Sequence, residues 1–350
     1  MDVTIGVDAH KRVHAAVAID QLGRELAQWR GPNTPAGWQA LQAWAAELGP
    51  APAWGIEGTG QYGRGLAQLL VRAGAMVVEV NPRLTATMRR GSRPRGKSDR
   101  LDALAVARVV QQEGLALPTV QPEDPTAVLA VLVAEREAAV AEATRLRNQL
   151  HQHLHQLRAV ELRDWPDLTD PDRVASLRTY AAPSSDPVVQ ARVLAVRHLA
   201  TRLELALRHA AELAQTVATQ AHATVQPLEQ ICGVAALTAG MLAAHLGGRR
   251  FASDAQLAMY AGVAPLDASS GAQERHRLNR GGNRSLNAIV HRIALTQQRC
   301  HAPAQRYLAQ KRAEGKTRQE AVRCLKRYIA RAVYRAWDRC ALAPPATPLT

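Results

Sequence analysis

The sequence predicts an α/β domain at the N-terminus, all-α structure at the C-terminus and a coiled-coil linker between them. Three observations predict this arrangement. Apolar residues first alternate with a period of two and then pass into helix–strand alternation over residues 1–115. Residues 126–165 contain neither Pro nor Gly, and their apolar positions recur about every 3.5 residues, the repeat of a coiled-coil seam. After Pro227 the pattern becomes that of shorter helices broken by Gly-containing turns. The expected domains are therefore 1–115, 116–226 and 227–350.

Each element has a local reason. Val3, Ile5 and Val7 alternate with Thr4 and Gly6 as in a strand; His14–Ile19 and Glu25–Trp29 read as two more. Thr34–Leu48 has helical spacing and stops at Gly49-Pro50. Trp54–Glu57 reads as a strand, Tyr62–Ala73 as a helix, and Met76–Val80 as a strand ending at Asn81-Pro82. Ser98–Gln112 reads as a helix with Ser98 as its N-cap. In the linker one seam holds Leu129, Arg136, Ala143, Leu150 and Leu157 with Leu132, Ala139, Leu146, His153 and Val160. The other holds Val189, Val196, Leu203, Ala210 and Val217 with Val193, Ala200, Leu207, Ala214 and Ala221. Pro166, Pro171, Pro183 and Pro187 punctuate the connection. Beyond it come two short helices around Gly233, a helix over Ala255–Ala261, a polar loop over Gly262–Gly282, and helices over Arg284–Arg299 and Lys316–Leu342.

Composition narrows the partners. The 350 residues are 47% hydrophobic and 21% charged, enough apolar material for packed cores. The net charge of +14 favours a polyanion, nucleic acid or an anionic membrane surface. Of the 44 basic residues 39 are Arg, which grips phosphates and base edges in two-pronged fashion, although GC-rich coding favours Arg as well. The segment 301–340 carries 11 Lys/Arg against 3 acids, which reads as phosphate contact rather than a merely solvated face. No apolar run reaches about 18 residues, so no membrane span is expected. The start MDVTIGVDAHK lacks a signal-peptide core. The four cysteines lie far apart, which argues against a zinc ribbon or disulfide framework and fits a reducing cytoplasm, with nucleoid association.

Four carboxylates stand at element boundaries. Asp8 ends the first strand, Glu57 ends a later one, and Asp99 and Asp102 share a helix face. Each alone also fits a surface acid, and Asp99 a first-turn acid favoured by the helix dipole. Gathered together, they repel by about 4 kcal/mol per pair at 4 Å and an effective dielectric near 20. A bound cation makes the cluster tolerable, and an all-oxygen set suits Mg²⁺ or Mn²⁺. Two such ions are the usual equipment of phosphodiester cleavage. Beside this group runs the basic stretch Arg89, Arg90, Arg93, Arg95 and Lys97, broken by Gly and Pro and read as a flexible phosphate-gripping loop. Ser269 and Ser270 precede Gly271 in a loop where Ser is an ordinary turn residue. His151, His153 and His155 alternate on a helix, where a seam or surface face is a better reading than a metal site. The six Trp show no stacking-platform spacing and read as core or interface residues.

Asp8, Glu57 and the run Lys97-Ser98-Asp99-Arg100-Leu101-Asp102-Ala103 resemble the DEDD tetrad of the Piv-type insertion-sequence transposases. Arg145-Leu146-Arg147-Asn148-Gln149-Leu150 matches that family's linker helix. Ile231-Cys232-Gly233-Val234-Ala235 and Thr238–Leu246 resemble its helix-hairpin-helix-like segment. Tyr260-Ala261-Gly262-Val263-Ala264-Pro265, Ser269-Ser270-Gly271 and Arg280-Gly281-Gly282-Asn283-Arg284 resemble its transposase-domain signature. The resemblance runs in the family's order over nearly the whole chain. Ala235 stands where a second Gly is usual, and Gln273-Glu274 where the family is more basic.

The resemblance implies a RuvC-like, RNase H-type N-terminal domain in which Asp8, Glu57, Asp99 and Asp102 hold Mg²⁺. It further implies that Ser270, with Ser269 as the adjacent alternative, is the nucleophile of a phosphoserine link to DNA. Expected partners are the element's DNA ends and target, a structured guide RNA from the same element, and further copies of the chain in a dimer or tetramer. Arg275, Arg277, Arg280 and Arg284 join the basic stretch as expected nucleic-acid contacts. Three rivals share parts of this picture: a DNA invertase without a guide, a hydrolytic junction nuclease that has no use for Ser270, and a non-catalytic nucleic-acid-binding scaffold.

Overall fold

The computed structural model of the chain describes residues 3–91, 98–158, 167–182, 184–267, 276–279 and 281–340. The chain folds as two compact units: Met1–Ala127 with Thr224–Ala235 and His245–Thr350, and Val128–Ala223 with Ala236–Ala244.

The first unit begins with a meander of β1 (Val3–Ala9), β2 (Val13–Asp20) and β3 (Glu25–Pro32). Then follow α1 (Pro35–Glu47), β4 (Ala53–Glu57), α2 (Arg64–Arg72), β5 (Val77–Val80), α3 (Pro82–Gly91), α4 (Asp99–Glu113) and β6 (Thr119–Val120). The sheet runs β3-β2-β1-β4-β5-β6. β1 to β3 form an antiparallel meander, whereas β4 and β5 run parallel to β1. This order fits a RuvC-like domain. Period-two alternation puts Val3, Ile5 and Val7 against α1 and α2, where Leu41, Leu66 and Leu70 are buried. The opposite face of the sheet meets α4 through Ala103, Leu104, Val106, Ala107 and Val110.

α4 lies unusually close to the strands because Gly6 and Gly55 face it. A Cβ on Gly6 would sit 2.2 Å from the Ala107 backbone nitrogen, and one on Gly55 would sit 2.2 Å from Val110 Cγ2. The helix is capped as expected, with the Ser98 hydroxyl accepting from the Leu101 N–H at 3.3 Å. α3 departs from the expected loop. Pro82 at its first position lacks the N–H that a helix start leaves unpaired, and the Asn81 side chain accepts from the Arg83 N–H at 2.9 Å. Arg89 and Arg90 therefore belong to a helix; Arg93, Arg95 and Lys97 lie outside the described residues.

The second unit is built on α5 (Thr126–Arg158) and α7 (Pro187–Val225), with the short α6 (Pro171–Ser176) after Pro166. Ala143, Leu146, Leu150, Leu154 and Leu157 of α5 form one buried cluster with Val189, Val193, Val196, Ala200 and Leu203 of α7. The α7 positions are those of the expected seam. On α5, Leu154 rather than His153 fills the gap after Leu150, since a leucine one position on buries apolar surface that an imidazole would not. Val160 lies outside the described residues.

A 3₁₀ turn at Gln226–Gln230 leads to Gly233, which holds φ at +85°, and to α8 (Ala236–Leu246). The first unit then resumes with β7 (Arg249–Arg250), α9 (Asp254–Tyr260), β8 (Pro265–Asp267), β9 (His276–Leu278), α10 (Arg284–Cys300), α11 (Ala302–Ala313) and α12 (Arg318–Trp337). β7 pairs antiparallel with β6 and extends the N-terminal sheet. β8 and β9 form a small antiparallel pair inside the stretch expected to be loop; strands of three residues are too short to show alternation. Among the described residues no helix is long and apolar enough to cross a membrane.

Candidate functional site

The site is assembled by strand register and one helix start. Asp8, next to last in β1, and Glu57, last in β4, are register partners on neighbouring parallel strands. Gly6 and Gly55 face α4, so Asp8 and Glu57, each two residues on, point to the same side. The first turn of α4 carries Asp99 and Asp102 over that side. All four expected acids thus converge, although they are 94 positions apart at the extremes.

Their surroundings show the strain of gathered negative charge. Asp8 is buried, at 7% exposure. Burial pushes its carboxyl above the usual carboxylate range; His10 pulls it back, and the charges of Asp102 and Asp99 add to the rise. Glu57 is likewise raised by burial first, with further upward pressure from Asp8 and Asp102. Thr85 opposes this, its hydroxyl lying 2.9 Å from Glu57 Oε2. Three basic side chains stand against the acids. His10 Nε2 is 2.9 Å from Asp8 Oδ2 and 3.7 Å from Asp99 Oδ1, Arg30 is 3.3 Å from Asp99, and Arg89 is ion-paired with Asp102.

These residues fit a divalent cation. Asp8 Oδ2 is buried, and its close polar neighbour is His10 Nε2 at 2.9 Å. Such an oxygen is costly unless a cation or donor meets it. One donor atom each from Asp8, His10 and Asp99 lies within 4.8 Å of the others. The carboxylate oxygens suit Mg²⁺ or Mn²⁺, and an imidazole at the edge of the set suits a transition metal such as Mn²⁺ better than Mg²⁺. His10 was absent from the sequence-derived set. Its signal was there, since residue i+2 in an extended chain shares the face of Asp8.

The C-terminal part of the same unit reaches the edge of this site. Val80, the last residue of β5, is the register partner of Glu57. The next residue, Asn81, donates through Nδ2 to the carbonyl of Gly281 at 3.0 Å. Gly281 belongs to the Gly281-Gly282-Asn283 turn before α10, in which Asn283 Oδ1 caps the Leu286 N–H at 3.0 Å. Arg249 locks the two parts further, donating through Nε and Nη2 to the two carboxylate oxygens of Glu79 while its charge faces the Tyr260 ring at 5.7 Å. Ser269, Ser270 and Arg275, between β8 and β9 in sequence, and Arg280, after β9, lie outside the described residues. Arg277 lies on β9, and Arg284 opens α10 with its side chain exposed.

Two family models match this chain. One, a DEDD-type IS110 model described as a transposase, covers residues 5–158, and the other, described as the transposase IS116/IS110/IS902 family, covers residues 225–309. The chain belongs to the IS110 family of DEDD transposases. Among curated relatives of this transposase, the insertion element IS116 uncharacterized 44.8 kDa protein of Streptomyces clavuligerus is 25% identical over 99% of this chain and 98% of its own. The insertion element IS110 uncharacterized 43.6 kDa protein of Streptomyces coelicolor is 34% identical over 34% of this chain and 30% of its own. The first family match spans all four acids, and the second spans Ser269, Ser270 and Arg284. As a transposase the chain acts on DNA, and the DEDD family suggests use of a divalent metal.

Proposed function

We propose that this transposase cuts and rejoins DNA at the ends of its own insertion element through a covalent phosphoserine intermediate. The observation that carries the proposal is the convergence of Asp8, Glu57, Asp99 and Asp102 at the ends of β1, β4 and the start of α4. Asp8, Asp99, Asp102 and Glu57 would hold Mg²⁺ or Mn²⁺, which when bound supplies positive charge to the scissile phosphate and its leaving oxygen. Asp8 and Glu57 are placed by the rigid sheet, while Thr85 fixes the Glu57 carboxylate with its hydroxyl at 2.9 Å. Arg89 and Arg30 offset the acids' charge and are released to grip phosphates when a cation takes that role.

The expected nucleophile is Ser270, with Ser269 beside it. Its Oγ–phosphorus bond forms as one phosphodiester P–O bond breaks; the serine proton goes to a base and the departing strand oxygen is protonated. Attack by a strand-end hydroxyl reverses these changes and rejoins DNA without an external energy source. The Asn81–Gly281 bond supports this reading, because it ties the transposase-domain turn to the strand beside Glu57. We assign choice of donor and target to a structured RNA from the same element, and the working form to a dimer or tetramer.

The test is a denaturing gel of protein incubated with element-end DNA and Mg²⁺. Wild type should give a covalent protein–DNA adduct, Ser270→Ala none, and Asp102→Asn none with the fold retained. An adduct that persists in Ser270→Ala and disappears in Ser269→Ala moves the role by one residue. Cleavage without any adduct supports the hydrolytic nuclease instead, and binding without strand chemistry the scaffold. Sequencing of copurified RNA tests guidance: targeting that persists with no element-derived RNA favours the invertase.

A further inference from the structure

α12 carries two kinds of basic surface. Arg327 and Arg331 are neutralised by Asp254 of α9, at 2.8 Å and 3.0 Å. The adjoining face, bearing Arg318, Arg323 and Lys326, has no such partner: among the described residues no carboxylate lies within ion-pair distance of these three. That face borders a cavity of about 740 Å³ between α10 and α12, which Arg284 and His291 also line and to which no acidic side chain contributes.

Lys326 sits at the floor of this cavity, at 8% exposure. Its Nζ donates to Asn287 Oδ1 at 2.6 Å. Asn287 is itself locked, its Nδ2 donating to the carbonyls of Ala261 and Gly262 at 2.9 Å each, so its oxygen is held toward the lysine. The wall beyond is equally rigid, since a Cβ on Gly282 would lie 2.2 Å from the Gly262 nitrogen. An ammonium has three N–H donors, and among the described residues one hydrogen bond from it is formed. Burial drives the Lys326 pKa down to about 8, with the Arg323 charge adding to the fall. Beyond the Asn287 oxygen, a desolvated ammonium that faces further cations gains most from an anion.

We propose that this cavity is a phosphodiester-binding site, in which Lys326 at the floor and Arg284, Arg318 and Arg323 at the rim seat a backbone phosphate of a nucleic acid. It is separate from the acid cluster and does not need Ser270. The choice of nucleic acid as occupant rests on the transposase reading; the cavity's preference for a small tetrahedral anion does not. DNA and RNA share the phosphodiester, so the experiment carries both.

Fluorescence anisotropy of the full-length protein is measured on two labelled probes, a short DNA duplex and an RNA strand of equal length, across a salt series. Lys326→Met and Arg323→Gln should each weaken binding about tenfold on at least one probe, with a salt slope shallower by about one. Arg72→Gln, which removes the same charge from the exposed end of α2, should do neither. The probe that loses affinity identifies the strand seated in the cavity. Wild-type affinity and slope in both cavity variants would overturn the proposal while leaving nucleic-acid binding intact. Arg323 is exposed and its variant keeps the fold, so it decides the matter even if Lys326→Met is poorly folded. Failure of the wild type to bind either probe would overturn the transposase reading and this occupant together.

Discussion

Removing one charge from the acid cluster should stabilise the metal-free protein and abolish its response to divalent cations. Donor atoms of Asp8 and Asp99 lie within 4.8 Å of each other. Two unit charges at that separation repel by about 3 kcal/mol at an effective dielectric near 20, before the cost of burying Asp8 is added. His10, Arg30 and Arg89 offset part of this. The assay is thermal unfolding at constant ionic strength with increasing MgCl₂ or MnCl₂. At an ion concentration about a hundredfold above Kd, binding stabilises the native state by about 2.7 kcal/mol, which raises Tm by roughly 5–10 °C for a unit of this size. Asp8→Asn should melt above wild type without metal and show no rise with it. A wild-type curve that is indifferent to Mg²⁺ and Mn²⁺ would refute the reasoning. So would an Asp8→Asn protein that keeps the full rise, or one that melts below wild type in the metal-free state.

Three further outcomes follow from the packing. Gly6→Ala should cost about 1–3 kcal/mol in chemical denaturation because the new Cβ drives α4 off β1, whereas Gly60→Ala, where an added Cβ meets nothing within 4 Å, should stay near wild type. Arg249→Met strands Glu79 in a largely buried position and should cost about 3 kcal/mol in urea unfolding; the Glu79→Leu/Arg249→Met pair should recover most of it. Lys326 has its folded pKa depressed from 10.5 to about 8, so between those values the unfolded chain binds a proton that the native chain does not, and stability rises with pH. Lys326→Met should therefore be the more stable protein below pH 8, by at most about 3 kcal/mol, and its advantage should shrink steadily toward pH 10.5. His291 has its pKa lowered by burial and so titrates below this range, and an advantage independent of pH would remove Lys326 as its source.

Much of the fold was legible locally. The alternation of Val3, Ile5 and Val7, the cap at Ser98 and the repeat through Val189, Val196 and Leu203 each express a rule spanning a few residues, and the structure places a strand, a helix start and a buried seam there. α3 was read as strand end and loop because Pro82 looks like a stop, although it also suits a first helical turn. β6 and β7, of two residues each, carry no periodicity at all.

The chain by itself determined which side chains carry charge and in what order: four acids in the DEDD pattern, a basic C-terminal segment, a Ser-Ser-Gly loop. Tertiary structure alone decided which of them meet. Parallel register set Glu57 beside Asp8, two glycines let α4 bring Asp99 and Asp102 down onto them, and His10, just past the end of β1, joined them. The packing of α10 on α12 left Lys326 buried with the neutral Asn287 oxygen as its partner, which its position in a run of surface-like cations gave no hint of. The physical reason is range: periodicity and capping are fixed by neighbours along the backbone, while register and helix docking depend on burying apolar faces that lie far apart along the chain.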